Sequence, residues 1–141
     1  AEMVFDIKSG SDITSGDINV EGYKDVAQQL IDRFDLELVG SHLRISHSAS
    51  HNGWLVVLYD GENFVQSAKY EITIVDRVGG GDSFAGGLIY SQLTGKDLQE
   101  TAEFGAAASC LKQSIPGDFN HVSVEEVETL AEGNASGRVK R

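Results

Sequence analysis

Ile74-Val75-Asp76-Arg77-Val78-Gly79-Gly80-Gly81-Asp82-Ser83-Phe84-Ala85-Gly86-Gly87-Leu88-Ile89 is the stretch on which the reading of this chain turns. It begins as the end of a β-branched strand, passes through three consecutive glycines and enters a helix through Asp82. Phe84, Leu88, Ile89 and Leu93 recur at helical spacing, and Gly95 supplies a C-terminal stop. Glycines in a run permit positive φ and let a ligand approach the bare backbone. The first amides of the following helix lack intrahelical acceptors and sit at the positive end of its dipole. Such a junction is a cradle for an oxyanion such as phosphate. Asp82 adds a carboxylate there, an odd choice for a loop that only binds an anion. It could take the proton of an attacking hydroxyl while the amides hold the transferred group. The competing reading is that Asp82 only N-caps its helix, a position that favours Asp.

Other phosphate and nucleophile motifs fail on this stretch. It lacks the lysine of a P-loop, and Phe84 stands where a G-x-G-x-x-G motif needs its last glycine. The G-x-S-x-G elbow of serine hydrolases is missed because position 85 is Ala. A hydrolase using Ser83 with His47, His51 or His121 as base is therefore a remote rival.

The wording D-R-V-G-G-G-D-S-F-A-G-G over residues 76–87 resembles the C-terminal signature of the ribokinase-like (PfkB) sugar kinases, D-T-x-G-A-G-D-x-F. The resemblance implies that Asp82 is the catalytic base and that Gly79, Gly80 and Gly81 form the anion hole. The chain departs from the common pattern at Arg77, where most members have Thr. Arg followed by three glycines is most similar to the 2-keto-3-deoxygluconate kinases and their near relatives. That group implies ATP and Mg²⁺ as cofactors and a small sugar acid as substrate.

Composition sets outer bounds. At 141 residues the chain is long enough for one domain with a real core. Its 40% hydrophobic and 23% charged residues are those of a globular protein, not a disordered one. No apolar run reaches a membrane span, and the first residues do not open a signal peptide, so the cytoplasm is the expected location. A net charge of −11 argues against nucleic acid or an anionic membrane as partner. Polyphosphate must then be held by local groups and Mg²⁺, not by the overall field. One cysteine, Cys110, excludes an internal disulfide and reads as a buried small hydrophobe.

Residues 9–22 read as a polar connector, and residues 23–34 as an amphipathic helix with Tyr23, Val26, Ala27, Leu30, Ile31 and Phe34 on one face. Residues 36–45 read as a strand. Ser46-His47-Ser48-Ala49-Ser50-His51-Asn52-Gly53 reads as a polar surface loop. His47 and His51 have metal-ligand spacing but no third ligand nearby in sequence, so no metal site is expected. The family resemblance places Ser48, Ser50, Asn52 and Gly53 near the nucleotide. Residues 54–59 and 64–70 form a hairpin about an Asp60-Gly61 turn. Asp97 with Glu100, and Ser123 with Glu126, read as capping boxes opening two further helices, the second ending near Gly133. Between them Ile115-Pro116-Gly117-Asp118 makes a rigid turn, and the resemblance implies that Asp118 reaches the sugar acid.

The element order predicts an α/β fold, the C-terminal portion of a ribokinase-like α/β sandwich with a central, largely parallel sheet. The resemblance spans residues 4–141 but only the C-terminal half of the family's length. Residues 1–141 are thus expected to be a nucleotide-binding portion, inactive alone, of an ATP-dependent kinase whose parent can be homo-oligomeric. A non-catalytic nucleotide- or sugar-phosphate-binding module is the alternative.

Overall fold

The computed structural model describes residues 5–7 and 20–133. Helix α1 (Val20–Phe34) is followed by strands β1 (Val39–Ser46), β2 (His51–Tyr59), β3 (Phe64–Gln66) and β4 (Tyr70–Thr73). Helices α2 (Gly80–Leu93), α3 (Leu98–Gln113) and α4 (Val124–Ala131) follow. Most of the connector expected over residues 9–22, and the tail from residue 134, lie outside the described residues; the connector's last residues already belong to α1.

β2 is the axis of the sheet. It pairs with β1 on one side and with β3 and β4 on the other. None of residues 54–59 is more than 5% exposed, which is why the run is apolar without alternation: both faces of this strand are covered. On one face Leu43, Leu55 and Val57 pack with Tyr23 of α1. On the other, Val56 and Leu58 pack with Phe84 of α2 and Ala102 and Ala106 of α3. The result is a helix–sheet–helix sandwich, as the sequence predicts.

The sheet differs from expectation in one respect. A largely parallel sheet was expected, but every pairing among the described residues is antiparallel. Residues 47–50 and 60–63 are connections of hairpin length, too short for the crossover that a parallel neighbour needs. The second strand of the expected hairpin is also broken. Between β3 and β4 the register against β2 slips by one residue, a bulge at residues 67–69. Ser67 repairs the ladder there: its amide donates to the Val56 carbonyl (2.9 Å) and its Oγ accepts from the Val56 amide (3.0 Å).

Small residues bring α2 close to its neighbours. A methyl on Gly40 of β1 would stand 3.0–3.1 Å from Leu88 and Phe84, and one on Gly87 would stand 3.1 Å from the Gly105 Cα of α3. The alanines of α3 serve this packing: Ala102, Ala106 and Ala107 are fully buried. Both capping boxes form, with Asp97 accepting from the Glu100 amide (2.8 Å) and Ser123 from the Glu126 amide (3.2 Å). Cys110 is buried beside Trp54 and Ile72, and burial pushes its thiol up to about 12. Native protein at pH 8 should therefore resist dithionitrobenzoate, while guanidine-unfolded protein reacts with one equivalent; labelling of the native chain at a free-thiol rate would show this packing to be loose.

Candidate functional site

The glycine run is fixed from both ends before any ligand arrives. The amides of Val75 and Asp76 both donate to the Gln113 carbonyl at the end of α3 (2.9 and 3.2 Å). The Asp76 carboxylate accepts from the amides of Val78 and Gly117 (3.0 Å each), tying the run to the turn at residues 114–118. Those two amides hold the Asp76 carboxyl below its usual range. Arg77 donates to the Ala49 carbonyl (2.6 Å) and the Ile74 amide to the Ser50 carbonyl (2.7 Å), so the loop at residues 47–50 lies against the run.

Gly79 caps α2 in the left-handed conformation, φ 79°. A side chain there would overlap the Asp118 carbonyl oxygen and press on buried Lys112. The helix proper starts at Gly80, two residues before the position read from sequence, so Asp82 lies in its first turn and is not the N-cap; no side-chain cap bond forms. The Gly80 amide donates to the Arg77 carbonyl and the Ser83 amide to the Gly79 carbonyl. The amides of Gly79, Gly81 and Asp82 have no acceptor among the described residues. Three such donors at a helix start can face an oxyanion, and the exposed carboxylate beside them can accept a proton.

Two concavities meet at this run. The larger, about 560 Å³, lies between α2, α3, α4 and residues 118–124; Asp82, Ser83 and Asp118 share it with apolar walls from Tyr90, Phe104 and Val127. The smaller, about 280 Å³, is bounded by Gly80 and Gly81 together with His42, Arg44, Trp54, Arg77 and Gln113. His42 stacks on Trp54 at 4.8 Å, and burial lowers its pKa, favouring the neutral ring.

Of the residues expected from sequence, Gly79, Asp82 and Asp118 converge on the larger cavity and Gly80 and Gly81 on the smaller. The nucleotide-loop residues fare differently. Asn52 and Gly53 belong to β2, not to a loop, because β1 and β4 both pair with them. Asn52 is fully buried, its side-chain amide finds no partner among the described residues, and it lines neither cavity. Ser48 turns its hydroxyl inward to accept from the Ser50 and His51 amides (3.3 and 3.0 Å), and neither Ser48 nor Ser50 lines either of these two cavities.

The histidines find a carboxylate that sequence distance hid. His47 and His51 lie 3.2 and 3.5 Å from one oxygen of Glu71 on β4, whose other oxygen holds Lys69 at 2.6 Å. This is an exposed charge cluster; among the described residues no group of three or more His, Cys, Asp or Glu is arranged to hold a metal ion. No hydrogen bond joins Ser83 to either of them or to His121, which packs on Phe119 instead, so the hydrolase reading has no base.

The sequence pattern of the pfkB family carbohydrate kinases matches residues 35–120. Among solved structures, the chain is similar to 2-dehydro-3-deoxygluconokinase from Thermotoga maritima, with 46% identity and a TM-score of 0.85 over 94% of this chain and 39% of that one. It is 30% identical to 2-dehydro-3-deoxygalactonokinase of Haloferax volcanii over 55% of this chain and 24% of that protein. It is 29% identical to 5-dehydro-2-deoxygluconokinase of Bacillus licheniformis over 62% of this chain and 29% of that protein. The chain thus spans about a quarter to two fifths of the length of these relatives. No helix among the described residues is long and apolar enough to cross a membrane. With more than half of its length matched, and with the glycine cradle and Asp82 inside the matched span, the chain belongs to the pfkB family of carbohydrate kinases.

Proposed function

We propose that residues 1–141 are the C-terminal, phosphate-holding portion of a cytoplasmic sugar-acid kinase that phosphorylates 2-keto-3-deoxygluconate, or a close relative, at a primary hydroxyl. The observation that carries this is the trio of unpartnered amides at Gly79, Gly81 and Asp82 beside the exposed Asp82 carboxylate. In the reaction Asp82 takes the proton of the substrate hydroxyl as its oxygen bonds to the γ-phosphorus of ATP. The bond from that phosphorus to the β–γ bridging oxygen breaks, and ADP leaves with the electron pair. The amides face the charge on the transferred group and are already in place, so little reorganisation is needed. Mg²⁺ would supply charge neutralisation on the phosphates; among the described residues no group of three or more His, Cys, Asp or Glu is arranged to hold it.

Asp118 shares a cavity with Asp82, which supports a role at the hydroxyl-bearing substrate. In an active kinase containing this sequence, Asp118→Ala should raise the KM for the sugar acid several-fold and leave that for ATP nearly alone. Collapse of ATP affinity instead would assign the turn to the nucleotide.

The deciding experiment is an assay of the 141-residue chain, and of a chain extended to the family's full length, with Mg-ATP and 2-keto-3-deoxygluconate. The extended protein should form the 6-phosphate and the 141-residue chain should not. Orienting two reactants supplies roughly 7–11 kcal/mol in favourable cases, and this portion provides only part of that arrangement. Inactivity of both with retained ATP binding would point to a non-catalytic nucleotide-binding module.

A further inference from the structure

The smaller cavity carries a charge pattern that the reaction scheme above does not use. Arg44 and Arg77 both line it, and among the described residues neither has a carboxylate partner. In a chain of net charge −11 this is unusual, since acidic side chains outnumber basic ones two to one. Arg77 spends one guanidinium nitrogen on the Ala49 carbonyl, and the Arg44 side chain makes no hydrogen bond or ion pair among the described residues. Neutral His42 adds a flat wall against Trp54. Gly80 and Gly81 form the opposite wall, and a Cβ at Gly81 would meet nothing within 4 Å, so the backbone there is open to a ligand.

We infer that Arg44 and Arg77 hold the polyphosphate of the phosphoryl donor in this 280 Å³ cavity. The inference rests on the kinase reading for the identity of the donor, but the binding itself does not depend on sugar phosphorylation. Planar guanidinium groups take two phosphate oxygens at once and remain charged at every working pH. The two carboxylates of the site, Asp82 and Asp118, line the other cavity, so cations and anions are sorted to opposite sides of the glycine run. Donor phosphates on the arginine side and the acceptor hydroxyl on the aspartate side would meet across the amides of Gly81 and Asp82, an arrangement suited to in-line transfer.

Trp54 is the chain's only tryptophan and lines the cavity, so its fluorescence reports occupancy. Inorganic tripolyphosphate, titrated by calorimetry and by Trp54 emission, should bind saturably and more weakly as KCl is raised. Arg44→Ala and Arg77→Ala should each weaken it about tenfold, while Lys24→Ala, on the opposite face of the sheet, should not. Arg77→Ala also removes the bond to Ala49; Arg44→Ala removes no bond, so it tests the site even if the other variant unfolds. Absence of tripolyphosphate binding, or binding indifferent to both substitutions, would overturn the assignment. So would binding of gluconate, a sugar acid without phosphate, that depends on the same arginines while tripolyphosphate does not. In an active kinase carrying this sequence, an unchanged ATP KM in both variants would sink the arginine assignment and leave the kinase reading intact. Arginine-dependent tripolyphosphate binding in a protein that phosphorylates no sugar acid would do the reverse.

Discussion

Asp82→Asn, placed in an active kinase that carries this sequence, is expected to lower kcat by about 10²-fold or more and to keep the ATP KM within a few-fold. The substitution is nearly isosteric and breaks no contact, because the Asp82 side chain makes no cap bond and is exposed in the first turn of α2. What it removes is the carboxylate of the residue whose own amide is unpartnered. ATP binding should, if anything, improve slightly, since a negative charge leaves an anion site. Turnover near that of the parent would reduce Asp82 to a residue that merely favours the positive end of its helix.

Gly79→Ala is expected to do more damage to the fold than any other single methyl in the signature. The backbone at this position lies at φ 79°, where a side chain costs roughly 1–2 kcal/mol. The added carbon would overlap the Asp118 carbonyl and crowd Lys112, and overpacking of this sort typically costs about 1–3 kcal/mol more. A loss of about 2–5 kcal/mol in urea denaturation should result, with weakened tripolyphosphate binding as the run shifts. Gly81→Ala is the matched control, since its Cβ would meet nothing within 4 Å. Equal destabilisation of the two would mean that the left-handed turn is not what constrains this junction.

How far these features could be read from sequence depends on their range. The capping boxes at Asp97–Glu100 and Ser123–Glu126 were legible because each is closed within four residues. The run at residues 54–59 was legible as a strand, and the family signature pointed to the glycine run at which the two concavities meet. The start of α2 was not: three glycines give no sign of which one turns left-handed, so Asp82 read as the entry when Gly79 is the cap. The strand at Asn52 and Gly53 was missed because polarity suggested a loop, whereas pairing on both edges holds them in the sheet. Arg44 and His42 escaped notice for a different reason. They alternate with buried Leu43 along β1, a visible hint of an opposite face, but only the fold brings that face to Arg77 and Gly81.

The near-contact of Gly87 with Gly105 bears on motion. Where two helix backbones meet with room for no side chain between them, sliding or tilting one against the other would open voids or create clashes. α2 and α3 should therefore move as one rigid body, carrying side by side at one end the amides around Gly81 and the Gln113 carbonyl that grips Val75 and Asp76. Asp82, the glycine run and the turn bearing Asp118 then keep fixed mutual positions. Any closure over substrate would fall to hinges elsewhere, with this unit as the anvil against which the moving part closes.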